Sequence, residues 1–356
     1  MSRAAVEPVE SRPLLQVDGL VVHYPVSRGI VGTLTHKPRQ RVHAVEDISF
    51  ALGRSEMLAL VGESGCGKTT TGQAVLRLVD AESGSILLDG RDIAKLEHGE
   101  LRPLRRRIQI IYQDPYESLD PRFRVRETIE EPMLIHGIGT SKADRHERMV
   151  AALQRVGLHP PELFTERYPH ELSGGQRQRV AIAAGLVLEP ELLVADEPVS
   201  MLDVSVRAGV LSLLDELRRS GLAILMITHD ISTAAHFADR IAVMYLGRIV
   251  EEGRAGEVVT DPRHPYTRAL MSVVPKRDPR DRSTPQILTG ETPNPIHVPP
   301  GCRFHPRCPV AQAVCSTEDP GLEAVADASD DHRAACLFTR LAGPGFPATA
   351  APASTT

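Results

Sequence analysis

The feature that most constrains this chain is a glycine-rich loop set between an apolar run and a helical stretch. The loop at residues 62–69 reads GESGCGKT and fits the pattern G-x-x-x-x-G-K-[ST]. The preceding residues 57–61 predict a short buried strand, and residues 69–79 show helical periodicity. In this context the glycines let successive backbone N–H groups turn toward a phosphate, and the helix N-terminus favours the same anion. The sequence therefore predicts a nucleotide-phosphate site.

We expect different roles for three side chains of this loop. Lys68 would reach the β- and γ-phosphates, and the hydroxyl of Thr69 would join the Mg²⁺ shell. Cys66 lies inside the loop, where a redox switch is conceivable. We interpret it instead as a small buried residue, because nothing in the sequence indicates a lowered thiol pKa.

Apolar runs alternate with helical stretches along the rest of the chain. Strands are predicted at 14–24, 42–52, 192–195 and 223–228 and at the end of the stretch 105–112, and helical character at 126–172 and 176–188. Residues 241–250 predict a strand running into a turn at Gly253. This alternation predicts an α/β fold with a mostly parallel sheet covered on both faces.

A second anion site and a pair of acids accompany the loop. Ser173, Gly174 and Gly175 open a predicted helix, and a helix N-terminus is a ready anion site. Because this site lies far along the chain from the first, we expect two chains to meet head to tail around a shared ATP. Asp196 and Glu197 end an apolar strand, where α/β sheets place ligands. Asp196 would hold Mg²⁺, and Glu197 would act as general base toward water.

On these motifs, residues 14–260 resemble the nucleotide-binding subunit of ATP-binding cassette (ABC) transporters. Tyr24 matches the aromatic residue that stacks on adenine, residues 172–176 (LSGGQ) match the family signature, and His229 matches the switch histidine. The resemblance implies a P-loop ABC ATPase with a mostly parallel core, an antiparallel β subdomain and an α-helical subdomain at 114–171. It also implies that this helical subdomain docks on a permease.

The resemblance further implies a set of site residues. Catalytic roles fall to Glu197, His229 and Gln113, and Mg²⁺ would be held by Thr69, Gln113 and Asp196. The implied ATP contacts are Tyr24, Gly62, Ser64, Gly65, Cys66, Gly67, Lys68, Thr69, Thr70, Gln113, Ser173, Gly174, Gly175, Gln176, Asp203 and His229.

Three further segments resemble the ATPases of oligopeptide/dipeptide importers. They are residues 113–122 (QDPYESLDPR), 264–270 (HPYTRAL) and 299–309 (PPGCRFHPRCP). Asp120 departs from the asparagine usual in that family, and an ordinary helix start also accounts for 264–270, with Pro265 near its first position. The expected partners are a sister ABC ATPase in a heterodimer, two membrane permease subunits and an extracytoplasmic solute-binding protein. A nickel chelate or sugar as cargo, or a soluble ABC ATPase with an iron–sulfur regulatory site, remain the alternatives.

Four cysteines near the C-terminus predict a metal site. Cys302, Cys308, Cys315 and Cys336 follow the spacing C-x5-C-x6-C-x20-C, which admits either Zn²⁺ or a [4Fe–4S] cluster. The resemblance to peptide importers favours the iron–sulfur cluster, and free structural thiols are the third possibility. His305 and His332 lie nearby in sequence, where a histidine can hydrogen-bond to metal ligands, but we interpret both as surface residues.

Composition limits location and partners. The net charge of −5 gives no basic field for nucleic acid, and no apolar run approaches the length of a membrane span. We expect a protein at the cytoplasmic face of the cell membrane, held there peripherally by its partner. The predicted divisions are a nucleotide-binding domain at 14–274, a cysteine-bearing extension at 275–340 and a disordered tail at 341–356.

Overall fold

The computed structural model describes residues 12–26, 40–114, 118–274, 286–326, 328–329 and 331–339. The predicted tail at 341–356 lies outside these residues. None of the described helices is both long and apolar enough to cross a bilayer.

The described strands and helices alternate along most of the chain. The strands are β1 Leu15–Pro25, β2 Arg41–Leu52, β3 Met57–Val61, β4 Ser83–Leu88, β5 Arg91–Asp92, β6 Ile108–Ile111, β7 Leu192–Asp196, β8 Ala223–Thr228, β9 Arg240–Tyr245, β10 Arg248–Arg254, β11 Glu323–Ala324 and β12 Arg333–Ala334. The helices are α1 Lys68–Val75, α2 His98–Arg107, α3 Val125–His136, α4 Lys142–Arg155, α5 Glu162–Thr165, α6 Gly174–Leu186, α7 Val204–Arg219, α8 Ile231–Phe237, α9 Ala255–Thr260 and α10 Pro265–Ser272.

The larger sheet positions the candidate site. Its strand order is β11-β12-β10-β9-β3-β8-β7-β6, and the five strands from β9 to β6 run parallel to one another. Along β3, alternate residues face two hydrophobic cores: Met57, Ala59 and Val61 face one, and Leu58 and Leu60 the other. A strand buried on both faces reads as a continuous apolar run, as the sequence does here. The predicted mostly parallel α/β core is confirmed.

A second, smaller sheet lies against the first. It has the order β2-β1-β4-β5, and every pairing in it is antiparallel. The predicted antiparallel β subdomain is therefore confirmed. Tyr24 stands near the end of β1 and is paired with Val42 of β2, so this sheet supplies one wall of the candidate site.

The segment around Gly253 differs from the prediction of one strand ending in a turn there. The turn falls earlier, at Leu246 and Gly247, and Gly253 lies within β10 opposite Ile241. Leu246 and Gly247 both have positive φ, 45° and 82°, as expected for the two central residues of a tight hairpin turn. The prediction was wrong because Gly253 marks a close approach to His332 rather than a turn.

The stretch with predicted helical character at 126–172 consists of several helices. α3 ends at Gly137, whose left-handed backbone (φ 66°) closes the helix. Ser141 then begins α4 by accepting a hydrogen bond from the backbone N–H of Asp144. Both helices pack on α6, whose N-terminus carries the predicted second anion site.

The described part of the 275–340 segment joins the large sheet. β12 pairs with β10, with Ala334 opposite Glu251. Glu251 is fully buried, and its carboxylate accepts hydrogen bonds from the backbone N–H groups of Arg263 and His264 at 2.7 and 2.8 Å. These bonds tie the start of α10 to β10, the strand with which β12 pairs.

Candidate functional site

The loop at 62–69 connects β3 to α1 in a conformation that requires glycine. Gly67 has a φ of 106°, and a Cβ there would lie 2.2 Å from the carbonyl oxygen of Ala44. A Cβ on Gly62 would meet the carbonyl oxygen of Met244 at the same distance. Both positions exclude a side chain because the neighbouring atom is main chain, and at Gly67 the left-handed backbone also disfavours any L-residue. The loop can therefore bring its N–H groups close to an anion.

Lys68 and Thr69 begin α1 at the base of this loop. The Lys68 ammonium is buried and donates to the carbonyl oxygens of Gly62 and Glu63 at 2.8 and 2.9 Å. The Thr69 hydroxyl donates to Asp196 Oδ1 at 3.2 Å. The loop thus presents the Lys68 ammonium and the Thr69 hydroxyl, and this hydroxyl contacts Asp196, the acid that ends β7.

Asp196 and Glu197 lie at the carboxyl end of β7, as predicted. Burial raises the pKa of the Asp196 carboxyl, although the hydrogen bond from Thr69 opposes this shift. A carboxylate and a hydroxyl in contact are the oxygen ligands that Mg²⁺ prefers. The pair therefore fits the predicted Mg²⁺ site, and Gln113 lines the same cavity as both residues.

Glu197 is paired with His229, which follows β8. His229 Nδ1 lies 2.8 Å from each carboxylate oxygen of Glu197. The Glu197 side chain is 12% exposed and the His229 side chain 62% exposed. Because β7 and β8 are parallel neighbours, their carboxyl ends bring the two residues together at the mouth of the loop.

A single cleft joins these groups. The cleft is lined by Tyr24, Val42, Ala44, Ser64, Gly65, Gly67, Lys68, Thr69, Thr70, Gln113, Glu197, His229 and Pro295. Among the ATP contacts predicted in the loop, Gly62 and Cys66 are not part of this lining. The Cys66 side chain is 2% exposed and packs in the hydrophobic core, and burial raises its thiol pKa. The Lys68 ammonium contacts the Cys66 sulfur at 3.8 Å and opposes this shift, but burial is the larger effect, so Cys66 is not an activated thiol.

The predicted second anion site lies away from this cleft. Ser173 precedes α6 and accepts a hydrogen bond from the Gln176 N–H at 3.3 Å, so it caps the helix. Gly174 and Gly175 begin that helix, and a Cβ on Gly175 would lie 2.2 Å from Val206. None of these residues, nor Asp203, lines the cleft of the same chain.

The four C-terminal cysteines line one cavity, together with apolar residues that include Phe304 and Leu337. Burial raises the pKa of Cys302 to about 11 and that of Cys308 to about 12. Among the described residues no three of these sulfurs lie within 4.8 Å of one another. A tetrahedral zinc site would need sulfurs about 3.8 Å apart, given Zn–S bonds of about 2.3 Å.

The described residues include one other cluster of ligand-type side chains, formed by His23, His43 and Glu46. His23 Nε2 and His43 Nδ1 lie 3.1 and 2.7 Å from the same Glu46 oxygen. The guanidinium of Arg303 lies 3.8 Å from that oxygen. The Glu46 carboxylate is therefore already in contact with two imidazoles and one guanidinium. For this reason we interpret the cluster as a network that holds β1 against β2, and not as a metal site.

Two residues near the C-terminal segment have roles that the sequence did not reveal. His332 is buried, not on the surface as predicted, and its Nε2 lies 2.8 Å from Glu251. The buried Glu251 needs polar partners, which explains the difference between the predicted and the observed position of His332.

Tyr266, in the 264–270 segment, accepts a hydrogen bond from the Glu63 N–H of the phosphate loop at 2.9 Å. The segment was singled out as a motif, but no signal in it indicates this contact.

Two family profiles match the chain. The ABC transporter profile matches residues 45–200, and the profile of the oligopeptide/dipeptide transporter C-terminal region matches residues 250–315. The first match spans the phosphate loop, the Ser173 region and the Asp196–Glu197 pair. The second spans Tyr266 and three of the four cysteines.

Named relatives align over nearly the whole chain. A Brucella ovis protein named for peptide import and ATP binding is 46% identical over 326 residues, which cover 91% of this chain and 98% of that protein. The dipeptide transport ATP-binding protein of Escherichia coli is 44% identical over 318 residues, covering 89% of this chain and 93% of its own length.

Solved structures show the same architecture. An ATP-binding cassette solved as a dimer in a post-hydrolysis state with ADP and Pi bound has a TM-score of 0.58 and 26% sequence identity. The similarity covers 68% of this chain and 98% of that one. The part of the fold that carries the cleft is thus shared with an ATP-hydrolysing cassette.

Proposed function

Because this chain belongs to the ABC transporter family of ATP-binding subunits, we propose that it binds and hydrolyses ATP to drive peptide uptake through a membrane permease. One observation carries the proposal: the cleft lined by the phosphate loop also contains the pair Glu197–His229, and Thr69 in its lining contacts Asp196. The names of the relatives, peptide import and dipeptide transport, support peptides as the cargo.

Each group of residues in the cleft has its own role in the transfer of the γ-phosphoryl group of ATP to water. The loop N–H groups and Lys68 bind the β- and γ-phosphates. Thr69, Asp196 and Gln113 would hold Mg²⁺, which would supply positive charge to neutralise the phosphates. Glu197 accepts a proton from the attacking water, and His229 orients the Glu197 carboxylate through its Nδ1–H. Tyr24 stacks on the adenine from the smaller sheet.

The active assembly is a pair of cassettes. Ser173 is exposed at the N-terminus of α6, and with Gly174, Gly175 and Gln176 it contacts the γ-phosphate of ATP held by the partner cassette. Asp203, exposed at the start of α7, lies on the same side of the proposed interface. The partner is a sister ABC ATPase, and closure of the pair around two ATP molecules moves the permease.

The helical subdomain at 114–171 is the proposed docking surface for the two permease subunits. A solute-binding protein on the other side of the membrane delivers the peptide. The chain then works peripherally at the cytoplasmic face of the membrane, and hydrolysis at Glu197 reopens the pair after each transport step.

For the cysteine cavity we favour a [4Fe–4S] cluster over zinc. The four thiols line one mostly apolar cavity, yet their sulfurs are more widely separated than tetrahedral zinc requires. A four-iron cluster separates its thiolates more widely, because each thiolate binds a different iron. Cys302, Cys308, Cys315 and Cys336 would hold this group, and ATP hydrolysis needs no redox step from it.

Reconstitution tests the transport function. The chain is assembled with its sister ATPase, permease and binding protein in liposomes, and ATP hydrolysis is measured with dipeptides, oligopeptides, nickel chelates or sugars. Stimulation by peptides, abolished by Glu197→Gln, supports the proposal. Stimulation only by a nickel chelate or a sugar would reassign the cargo. Failure of the chain to co-purify with any permease would favour a soluble ABC ATPase.

A further inference from the structure

The phosphate loop is held from outside by the cysteine-bearing segment. Glu63, the second residue of the loop, receives two hydrogen bonds from the Arg307 guanidinium: Nη1 donates to Oε2 at 2.8 Å and Nη2 to Oε1 at 3.2 Å. The Arg307 side chain is 9% exposed and that of Glu63 29% exposed. A two-point contact of this kind fixes orientation as well as charge.

Two further contacts from the C-terminal region reach the same residue. The hydroxyl of Thr292 donates to Glu63 Oε2 at 2.7 Å and also accepts from Arg307 Nη1 at 3.1 Å. The hydroxyl of Tyr266 accepts from the backbone N–H of Glu63 at 2.9 Å. Both the side chain and the main chain of Glu63 are therefore held by residues within the 250–315 match to the transporter C-terminal region.

Arg307 belongs to the short loop that carries two of the cysteines. It ends the 3₁₀ turn His305–Arg307, between Cys302 and Cys308. Phe304, just before this turn, is buried against Tyr245 and Tyr266, with ring centroids 5.2 and 5.4 Å away. The packing of Phe304 fixes the loop against the sheet, so the guanidinium is presented to Glu63 by a rigid support.

The position of Glu63 makes this contact relevant to nucleotide binding. The Glu63 carbonyl oxygen accepts a hydrogen bond from the Lys68 ammonium, so Glu63 also touches the side chain that binds phosphate. Burial is the largest single influence and raises the pKa of Glu63, but the hydrogen bonds from Arg307 and Thr292 and the charges of Arg307 and Lys68 together outweigh it, so the pKa is lowered. Without Arg307, the negative Glu63 carboxylate would keep the Thr292 hydroxyl but lose its charged partner beside the phosphates, and the loop would lose one of its anchors.

We propose that Arg307 is a positioning residue for the phosphate loop, through which the cysteine-bearing segment sets the affinity for ATP. The proposal rests on the proposed function of the cleft as an ATP site. Ordering the loop before ATP arrives lowers the entropy cost of binding, so losing Arg307 raises the dissociation constant. At saturating ATP the nucleotide itself orders the loop, and the turnover number changes little.

Titration of the full-length, metal-loaded chain with fluorescent ATP tests this, alongside steady-state hydrolysis. Arg307→Ala should weaken ATP binding and raise KM about tenfold or more, the usual range for a lost charged hydrogen bond, with kcat changed less than about twofold. The ATP affinity of Arg307→Lys should lie between those of the wild type and Arg307→Ala, since an ammonium restores the charge but not the two-point contact. The matched control is Arg248→Ala, which removes an ion pair with Asp319 and leaves Glu63 untouched; its ATP affinity should equal that of the wild type.

Glu63→Gln gives a second, independent measurement, because it leaves the cysteine segment unaltered. It should weaken ATP binding, and adding Arg307→Ala to it should weaken binding less than Arg307→Ala alone does in the wild type. Wild-type ATP affinity in Arg307→Ala, or additive effects in the double variant, would overturn the inference. A wild-type chain that binds no ATP would instead refute the proposed function.

Discussion

His229 Nδ1 lies 2.8 Å from both carboxylate oxygens of Glu197, so the imidazole holds the proposed general base from the side that faces solvent. Replacing His229 with alanine removes this support and any contact with the γ-phosphate. Phosphate release at saturating Mg-ATP should fall about 10²-fold, while ATP binding is largely kept. His98→Ala, on the exposed start of α2, is the control and should hydrolyse ATP normally. Normal turnover in His229→Ala would reject the assigned role.

Gly67→Ala tests the geometry of the phosphate loop. The new Cβ would lie 2.2 Å from the Ala44 carbonyl oxygen at a φ of 106°. ATP affinity should fall roughly tenfold or more, because a left-handed backbone alone costs a residue with a side chain about 1–2 kcal/mol. Gly99→Ala, where a Cβ meets nothing within 4 Å, should leave affinity unchanged. Equal dissociation constants for the two variants would show that the loop does not form the site.

Cys308→Ser tests the nature of the cysteine cavity. After anaerobic purification the wild type should contain about four iron and four acid-labile sulfide per chain with a brown chromophore. The variant should lose most of both, because serine is a poor ligand for this cluster. Cys66→Ser is the thiol control, since Cys66 lies in the phosphate loop and not in this cavity. Zinc without sulfide in the wild type would make the segment a structural clip.

His264 should make stability depend on pH. Burial lowers its pKa to about 4 from an ordinary 6.5, so the unfolded chain binds the proton more readily. Its contribution to stability is therefore complete above about pH 6.5 and is lost as the pH falls toward 4. The shift corresponds to roughly 3 kcal/mol.

His264→Asn checks this prediction, because asparagine can still accept the hydrogen bond that His264 Nδ1 receives from the Tyr266 N–H but does not titrate. Urea unfolding at pH 7 and pH 4.5 should show a smaller loss of stability on acidification in the variant than in the wild type. The exposed His98→Asn should behave as the wild type does. Parallel pH dependence in all three proteins would contradict the low pKa.

The sequence predicted which acidic and histidine side chains meet at the cleft because each lies at the end of a short apolar strand. Asp196 ends β7 and His229 follows β8, and the parallel pairing of these strands brings their carboxyl ends to one edge. Local sequence is enough to identify such strands, and the general rule for parallel sheets supplies the rest.

The contacts made by the C-terminal segment could not be predicted in this way. Arg307 and Glu63 are 244 residues apart, and no local pattern in either segment indicates that they meet. His332 was predicted to lie on the surface because its partner could not be identified from the sequence. That partner is Glu251, and nothing in the sequence of β10 indicates that this carboxylate is buried. Such contacts depend on how β12 pairs with β10, which only the folded chain defines.

Glu197→Gln tests the central claim, ATP hydrolysis in this cleft, most directly. Gln keeps the size of the side chain but cannot accept a proton, so phosphate release should fall at least about 10²-fold while ATP binds with nearly wild-type affinity. Glu216→Gln, on the exposed face of α7, should hydrolyse ATP normally. Loss of hydrolysis with retained binding is the result that the account predicts; hydrolysis near the wild-type rate in Glu197→Gln would contradict it.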